Sequence, residues 1–363
     1  LLFPACECAG WLFKPYSLLL NWKVFMFRIV ATGILAALFF SSTFVLNRAM
    51  SLEGGHWVWT AALRYVWMLL LLAAWFVATG KSSLALGAVR LYRRHWLFWT
   101  LAGSVGFGVF YALISFSASY APGWVVAATW QMTILATPVV LLLFGRRVSL
   151  KALLLTLIVF AGVLCINAEQ AGSLPLHEVL LGALPVLGAA FAYPFGNQMV
   201  WEAREAAHAV IAAANPDTSQ AAAPSGWRHW LLRLRRRIPA MDDPAMQDSM
   251  CRVLLLTLGS LPLWIILVGI FAPSLPSEGQ VLKTLLVAVF SGVAATSLFL
   301  SARHMARSPS QLAAADCTQA MEVVFSLAGE AILLGGALPH ALGWTGIALT
   351  LLGLVLYLKV QNA

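Results

Sequence analysis

Three acidic residues fall inside one hydrophobic run: Asp316, Glu322 and Glu330. A carboxyl group in hydrocarbon is costly, and by default it marks a pathway for an ion, a proton or a substrate. Projected at about 100° per residue, Asp316, Gln319, Glu322, Ser326 and Glu330 share roughly one third of a helix circumference. Such a stripe is expected to face a hydrated cavity or a partner helix. Glu322 stands halfway along the run, where it can bind a cation, a proton or a substrate amine; the bland alternative is a hydrogen-bonded packing acid. In an earlier run, Thr129, Trp130, Thr133 and Thr137 lie on an arc of about 100°, with Pro138 able to kink the helix. Asn47 with Ser41 and Thr43, and Tyr193 with Asn197, extend the polar set in two further runs. Hydroxyls in helices often bond back to their own carbonyls, which is the competing account of each. Trp130 is the aromatic best suited to a cavity wall, and beside an acid it fits an amine or aromatic ligand. Arg64 and Glu330 are at similar depth in their runs, so they are expected to pair unless Arg64 snorkels to the surface.

Other chemistries find no support. Asp242-Asp243 is followed by Pro244-Ala245-Met246, so no acid-rich motif for a metal or a diphosphate closes. The seven histidines all lie at the ends of apolar runs or between them. The cysteines are Cys6, Cys8, Cys165, Cys251 and Cys317; apart from Cys6-x-Cys8 no pair has zinc-ligand or redox spacing, and they read as small packing residues. No metal or cofactor is expected, and a membrane-embedded lipid or prenyl transferase is the weakest reading.

The elements that must carry these residues are membrane helices. Of 363 residues, 61% are hydrophobic and 10% charged, against roughly 25% charged in soluble domains. Apolar runs of about 20 residues recur, the length that crosses ~30 Å of hydrocarbon as a helix. Backbone groups in lipid must pair internally, and runs such as 153–160 lack the alternation of a barrel strand. Ten spans are expected, near 28–50, 57–79, 96–119, 123–144, 149–167, 178–201, 250–272, 281–303, 310–334 and 341–360. All but three of the 23 basic residues fall on one side of that topology, the exceptions being Arg48, Arg64 and Lys283. The excess of positive charge on cytoplasmic loops then puts both termini in the cytoplasm of a multi-pass inner-membrane protein. It also disposes of nucleic acid as the reason for the net charge of +9.

Residues 1–25 read as an N-terminal extension or start-site artefact, with Met26-Phe27-Arg28 a natural start. The connection 202–249 holds a basic amphipathic segment, Trp227 to Ile238, suited to lie on anionic lipid. Tyr120-Ala121-Pro122 and Arg307-Ser308-Pro309 each precede a run, and Phe160-Ala161-Gly162-Val163-Leu164 resembles Leu351-Leu352-Gly353-Leu354-Val355. Two five-helix repeats are expected, 26–170 and 171–363, of opposite topology. Inverted repeats are a transporter signature, with the substrate site at the repeat interface.

The chain resembles the drug/metabolite transporter superfamily in its ten-span, EamA-like branch, and within it the multidrug resistance efflux (EmrE-type) transporters. The residues that carry this are Phe39-Phe40-Ser41-Ser42-Thr43-Phe44, Ala61-Ala62-Leu63-Arg64, Tyr120-Ala121-Pro122 and Met321-Glu322-Val323-Val324-Phe325. It departs from the family where Arg146-Arg147 follows Gly145, where Val323 follows Glu322, and where Gly335-Gly336 follows the ninth run; the first run also lacks the acid essential to small four-span relatives. The resemblance implies an all-α inner-membrane protein exporting drugs or metabolites by alternating access, as a monomer or homodimer, with proton coupling open. A facilitative channel-like or accessory protein is the alternative.

Overall fold

The computed structural model describes residues 14–146, 148, 150–172, 174–213, 238–306 and 309–361. Among these residues it is helical, with no strand. The helices are α1 (Lys14–Leu52), α2 (Trp57–Ala78), α3 (Ser82–Arg94), α4 (Trp96–Ser117), α5 (Gly123–Leu143), α6 (Leu150–Ala171) and α7 (Leu176–Ala213). There follow α8 (Pro244–Gln247), α9 (Ser249–Phe271), α10 (Glu278–Met305), α11 (Pro309–Cys317), α12 (Met321–Leu333) and α13 (Ala341–Gln361). Among the described residues, α1, α2, α4, α5, α6, α7, α9 and α10 contain eight segments long and apolar enough to cross a membrane, and Ala341–Leu356 is a shorter apolar helix. Many of their leucines and isoleucines turn outward, Ile265 being 74% and Ile270 69% exposed, as lipid-facing side chains must be. The segment Trp227 to Ile238, expected on the lipid surface, lies, but for Ile238, outside the described residues. Helix α1 begins at Lys14, well before the expected boundary at 28.

Irregular backbone interrupts several of the helices. Helices α4 and α10 each contain a π-helical stretch, Ser104–Val109 and Ala288–Ala295. Helix α5 breaks at Gln131 and Met132, and a 3₁₀ turn, Thr318–Ala320, separates α11 from α12. Non-helical backbone at such depth is tolerated where it is buried in protein or lines a wet cavity. The unbroken helix expected over 310–334 is therefore two helices, and the single stripe drawn on it is divided, because the tighter turn changes the phase.

Helices α6 and α13 meet through glycines. A Cβ added at Gly346 would lie 2.6 Å from the Gly162 carbonyl oxygen and 2.7 Å from Ile166 Cγ1, and one at Gly162 would lie 2.6 Å from the Gly346 carbonyl oxygen. Close backbone approach through small residues is how helices pack in lipid. Gly346→Leu is expected to lower stability by about 1–3 kcal/mol, read as a lower unfolding temperature of the detergent-solubilised protein, with Gly269→Leu, whose added Cβ would meet open space, as the unaffected control.

The two ends differ in charge. At the end carrying the arginines, Arg146 pairs with Glu202, Lys81 with Asp248 and Arg303 with Asp316. At the other end, Lys283 donates to Glu53 (2.7 Å), the Gln280 amide to the His56 carbonyl and the Thr60 hydroxyl (both 2.9 Å), and Trp59 Nε1 to the Ser274 carbonyl (2.8 Å). There too the Glu169 carboxylate accepts from the backbone N–H groups of His340 and Gly343, capping the start of α13.

Candidate functional site

A cavity of about 610 Å³ runs between α1, α2, α4, α5, α7, α9, α10 and the α11–α12 turn. Helices α6 and α13 stand outside it. The breaks in the backbone build its wall: Trp130 ends the first segment of α5, while Gln319 and Glu322 flank the end of the 3₁₀ turn. Trp130 packs on Phe110 (ring centroids 4.8 Å apart) and edge-on to Tyr193 (5.6 Å), forming an aromatic corner. Thr43, Asn197 and Arg64 supply polar wall, Asn197 Nδ2 donating back to the Tyr193 carbonyl (2.9 Å).

Glu322 is 5% exposed and forms no hydrogen bond or ion pair with the described residues. Tyr193 is the polar group in electrostatic contact with it. Arg64 holds its place differently: Nη2 donates to Ser291 (3.2 Å) and the guanidinium lies 4.0 Å over the Tyr111 ring. The Tyr111 hydroxyl donates in turn to Asn47 Oδ1 (3.1 Å). Asn47 is thus a buried support for Arg64 through Tyr111, not part of the wall.

Several expected site residues lie elsewhere. Glu330 accepts from the Trp124 backbone N–H (3.1 Å) with Arg48 as its electrostatic partner. The expected Arg64–Glu330 pair is not formed, because each group is already engaged on a different helix. Asp316 is drawn to Arg303 (2.6 Å) at the basic end. The Thr133 and Thr137 hydroxyls bond back to the Trp130 and Thr133 carbonyls (2.6 and 2.8 Å) and do not line the cavity. Among the wall residues that escape sequence reasoning are Arg204, Arg252 and Arg303 at the basic end.

The family described as "Putative multidrug resistance efflux transporter" (EmrE) matches residues 27–363. The chain belongs to that family. As an EmrE-family member it is a membrane transporter and not an enzyme. It is 34% identical over 346 residues to the uncharacterized protein YjlA of Bacillus subtilis (strain 168), covering 91% of this chain and 94% of that one. It is also 34% identical over 309 residues to an uncharacterized 42.1 kDa protein from the intracellular alkaline protease 3' region of Shouchella clausii, covering 81% and 70%. A solved crystal structure of another protein matches with a TM-score of 0.55 at 17% identity, over 92% of this chain and 97% of that chain; this is a likeness in fold alone. In the EmrE-family chain, this cavity is one that a small molecule could enter, and Glu322 is the acid among its described lining residues.

Proposed function

We propose that the chain exports small organic compounds with an apolar or aromatic body across the inner membrane by alternating access, with Glu322 as the group that exchanges a proton. The observation that carries this is Glu322 itself: a buried carboxyl, without a hydrogen-bond or ion partner among the described residues, on the wall of a cavity that elements of both sequence halves enclose. An intramembrane acid with no structural partner is the group expected to bind and release an ion in a transport cycle.

An inverted five-plus-five repeat completes the reading. In it α11 and α12 together make the ninth span and α13 the tenth. Corresponding members then share their irregularities: α4 and α10, third in each half, carry the π-helical stretches, and α5 and the α11–α12 pair, fourth in each half, are broken at mid-length. Discontinuous helices at the repeat interface are where transporters bind substrates and ions. The charge asymmetry of the loops supports both termini in the cytoplasm, so the cavity lies on the cytoplasmic side of the contacts of Lys283 with Glu53 and of Gln280 with His56 and Thr60. Reporter fusions at Glu53, Gly172 and Glu278 should read external and those at Ser83 and Ala221 cytoplasmic; a cytoplasmic signal at Gly172 would break the repeat.

Purified chain in proteoliposomes tests the function. Saturable substrate flux that follows an imposed pH gradient is the expected result. Flux that is saturable but indifferent to the gradient would favour a facilitator, and non-saturating flux a channel.

A further inference from the structure

The charge on the cavity wall does not suit a cationic drug. Among the described residues four arginines line it, Arg64, Arg204, Arg252 and Arg303, against one acid, Glu322. Arg303 is matched by Asp316. The other three have no carboxylate within salt-bridge distance among the described residues: Arg64 bonds Ser291, Arg204 bonds Gln247 Oε1 (3.3 Å), and Arg252 bonds the Met246 carbonyl (3.2 Å) and Ser249 (3.0 Å). Asp248 lies within electrostatic reach of Arg252, but it is committed to the α9 N-cap and to Lys81. Arg204 and Arg252 lie within electrostatic reach of one another. Two guanidiniums facing one space repel, and each is a donor-only group whose planar fork fits carboxylate, sulfonate or phosphate oxygens. The Nε atoms of Arg64 and Arg204 are buried without an acceptor among the described residues. The wall also carries aromatic rings, among them Tyr65, Phe107, Phe110, Trp130 and Tyr193.

Resting on the reading of this cavity as the transport site, we propose that its substrate is an organic anion with an aromatic body: the arginines at the mouth draw in the acidic group, and Arg64, braced by Tyr111 and Asn47, is its deeper partner. The amine expected from Glu322 alone gives way, since an ammonium would have to pass Arg204 and Arg252, neither matched by a carboxylate among the described residues, to reach one carboxyl.

The test uses three ligands of one shape, 3-phenylpropionate, 3-phenylpropylammonium and 3-phenylpropanol, each titrated against the purified full chain with the rise in unfolding temperature as the readout. The carboxylate should stabilise saturably, the alcohol weakly and the ammonium least. Arg64→Gln and Arg252→Gln should each weaken carboxylate binding by about tenfold or more, the scale of a lost charge-assisted hydrogen bond, with Arg64→Lys recovering part. Any variant whose unliganded unfolding temperature falls is replaced in the comparison by its Lys counterpart. Binding of the ammonium as tight as that of the carboxylate, carboxylate binding unchanged in both Gln variants, or binding of none of the three would each overturn the proposal. Counterflow of the bound ligand in proteoliposomes separates the two layers. If the carboxylate binds but is not moved, the transport reading fails and the anion site stands; if the ammonium is moved instead, transport stands and the anion class fails.

Discussion

Glu322→Gln should insert and fold normally yet lose gradient-driven transport, falling to the level of protein-free liposomes, while exchange in the absence of a gradient survives. Glutamine keeps the size of the side chain and a carbonyl acceptor but has no proton to gain or lose. Because Glu322 makes no hydrogen bond or ion pair with the described residues, the substitution breaks no contact that holds helices together. Asp316→Asn and Glu330→Gln are the contrasts. Asp316 neutralises Arg303 and Glu330 accepts from the start of α5, so these variants should lose thermal stability and keep their response to the gradient. The comparison is pH-dependent uptake by the three variants in matched vesicles. Wild-type gradient dependence in Glu322→Gln would remove it as the coupling group.

Glu202→Ala should be the most destabilising single change at the basic end, at about 3–5 kcal/mol, the usual cost of removing one partner of a buried ion pair. The Glu202 side chain is fully buried and receives both Arg146 Nε (3.0 Å) and Nη2 (3.1 Å), a bidentate fork, with the Gln198 amide at 2.9 Å. The Arg146 guanidinium also lies 4.2 Å over the Trp201 ring. Gly145, at φ 75°, makes the left-handed turn that folds Arg146 back onto α7 after α5 ends. The pair therefore ties the end of α5 to α7, across the two proposed halves. Arg146→Lys, which keeps the charge but loses the fork, should cost less. Equilibrium unfolding in detergent or mixed micelles measures both. A loss below about 1 kcal/mol for Glu202→Ala would mean that the pair behaves as an exposed one.

What the sequence revealed and what it hid follow from the signals available. Glu322, Gln319, Trp130, Tyr193 and Asn197 stand out as polar or aromatic groups in apolar runs, and all five reach the cavity. Asp316 and Glu330 stand out in the same way but lie off it, because a helix drawn without the turn at Thr318–Ala320 gives all three acids one face. Arg204, Arg252 and Arg303 were hidden by a rule that already accounted for them: arginines at cytoplasmic span ends need no further explanation when orientation is the question. Glu202 was hidden by a boundary, since the apolar run stops near 201 whereas the helix continues to Ala213. Asn47 was visible as polar, but its role through Tyr111 depends on helix packing that no spacing encodes.

The central claim is that one cavity serves both faces in turn. With the five native cysteines replaced, a single cysteine at Thr296, on the cavity wall, can be challenged with a membrane-impermeant thiol reagent from either side. Rapid labelling from the cytoplasmic face is expected at rest. Lys283→Gln, which removes the Glu53 contact at the far end, should raise labelling from the outer face and lower it from the cytoplasmic face by a matching amount. Equal labelling from both faces at once, or an outer signal that rises with no fall on the cytoplasmic side, would describe a pore and contradict it.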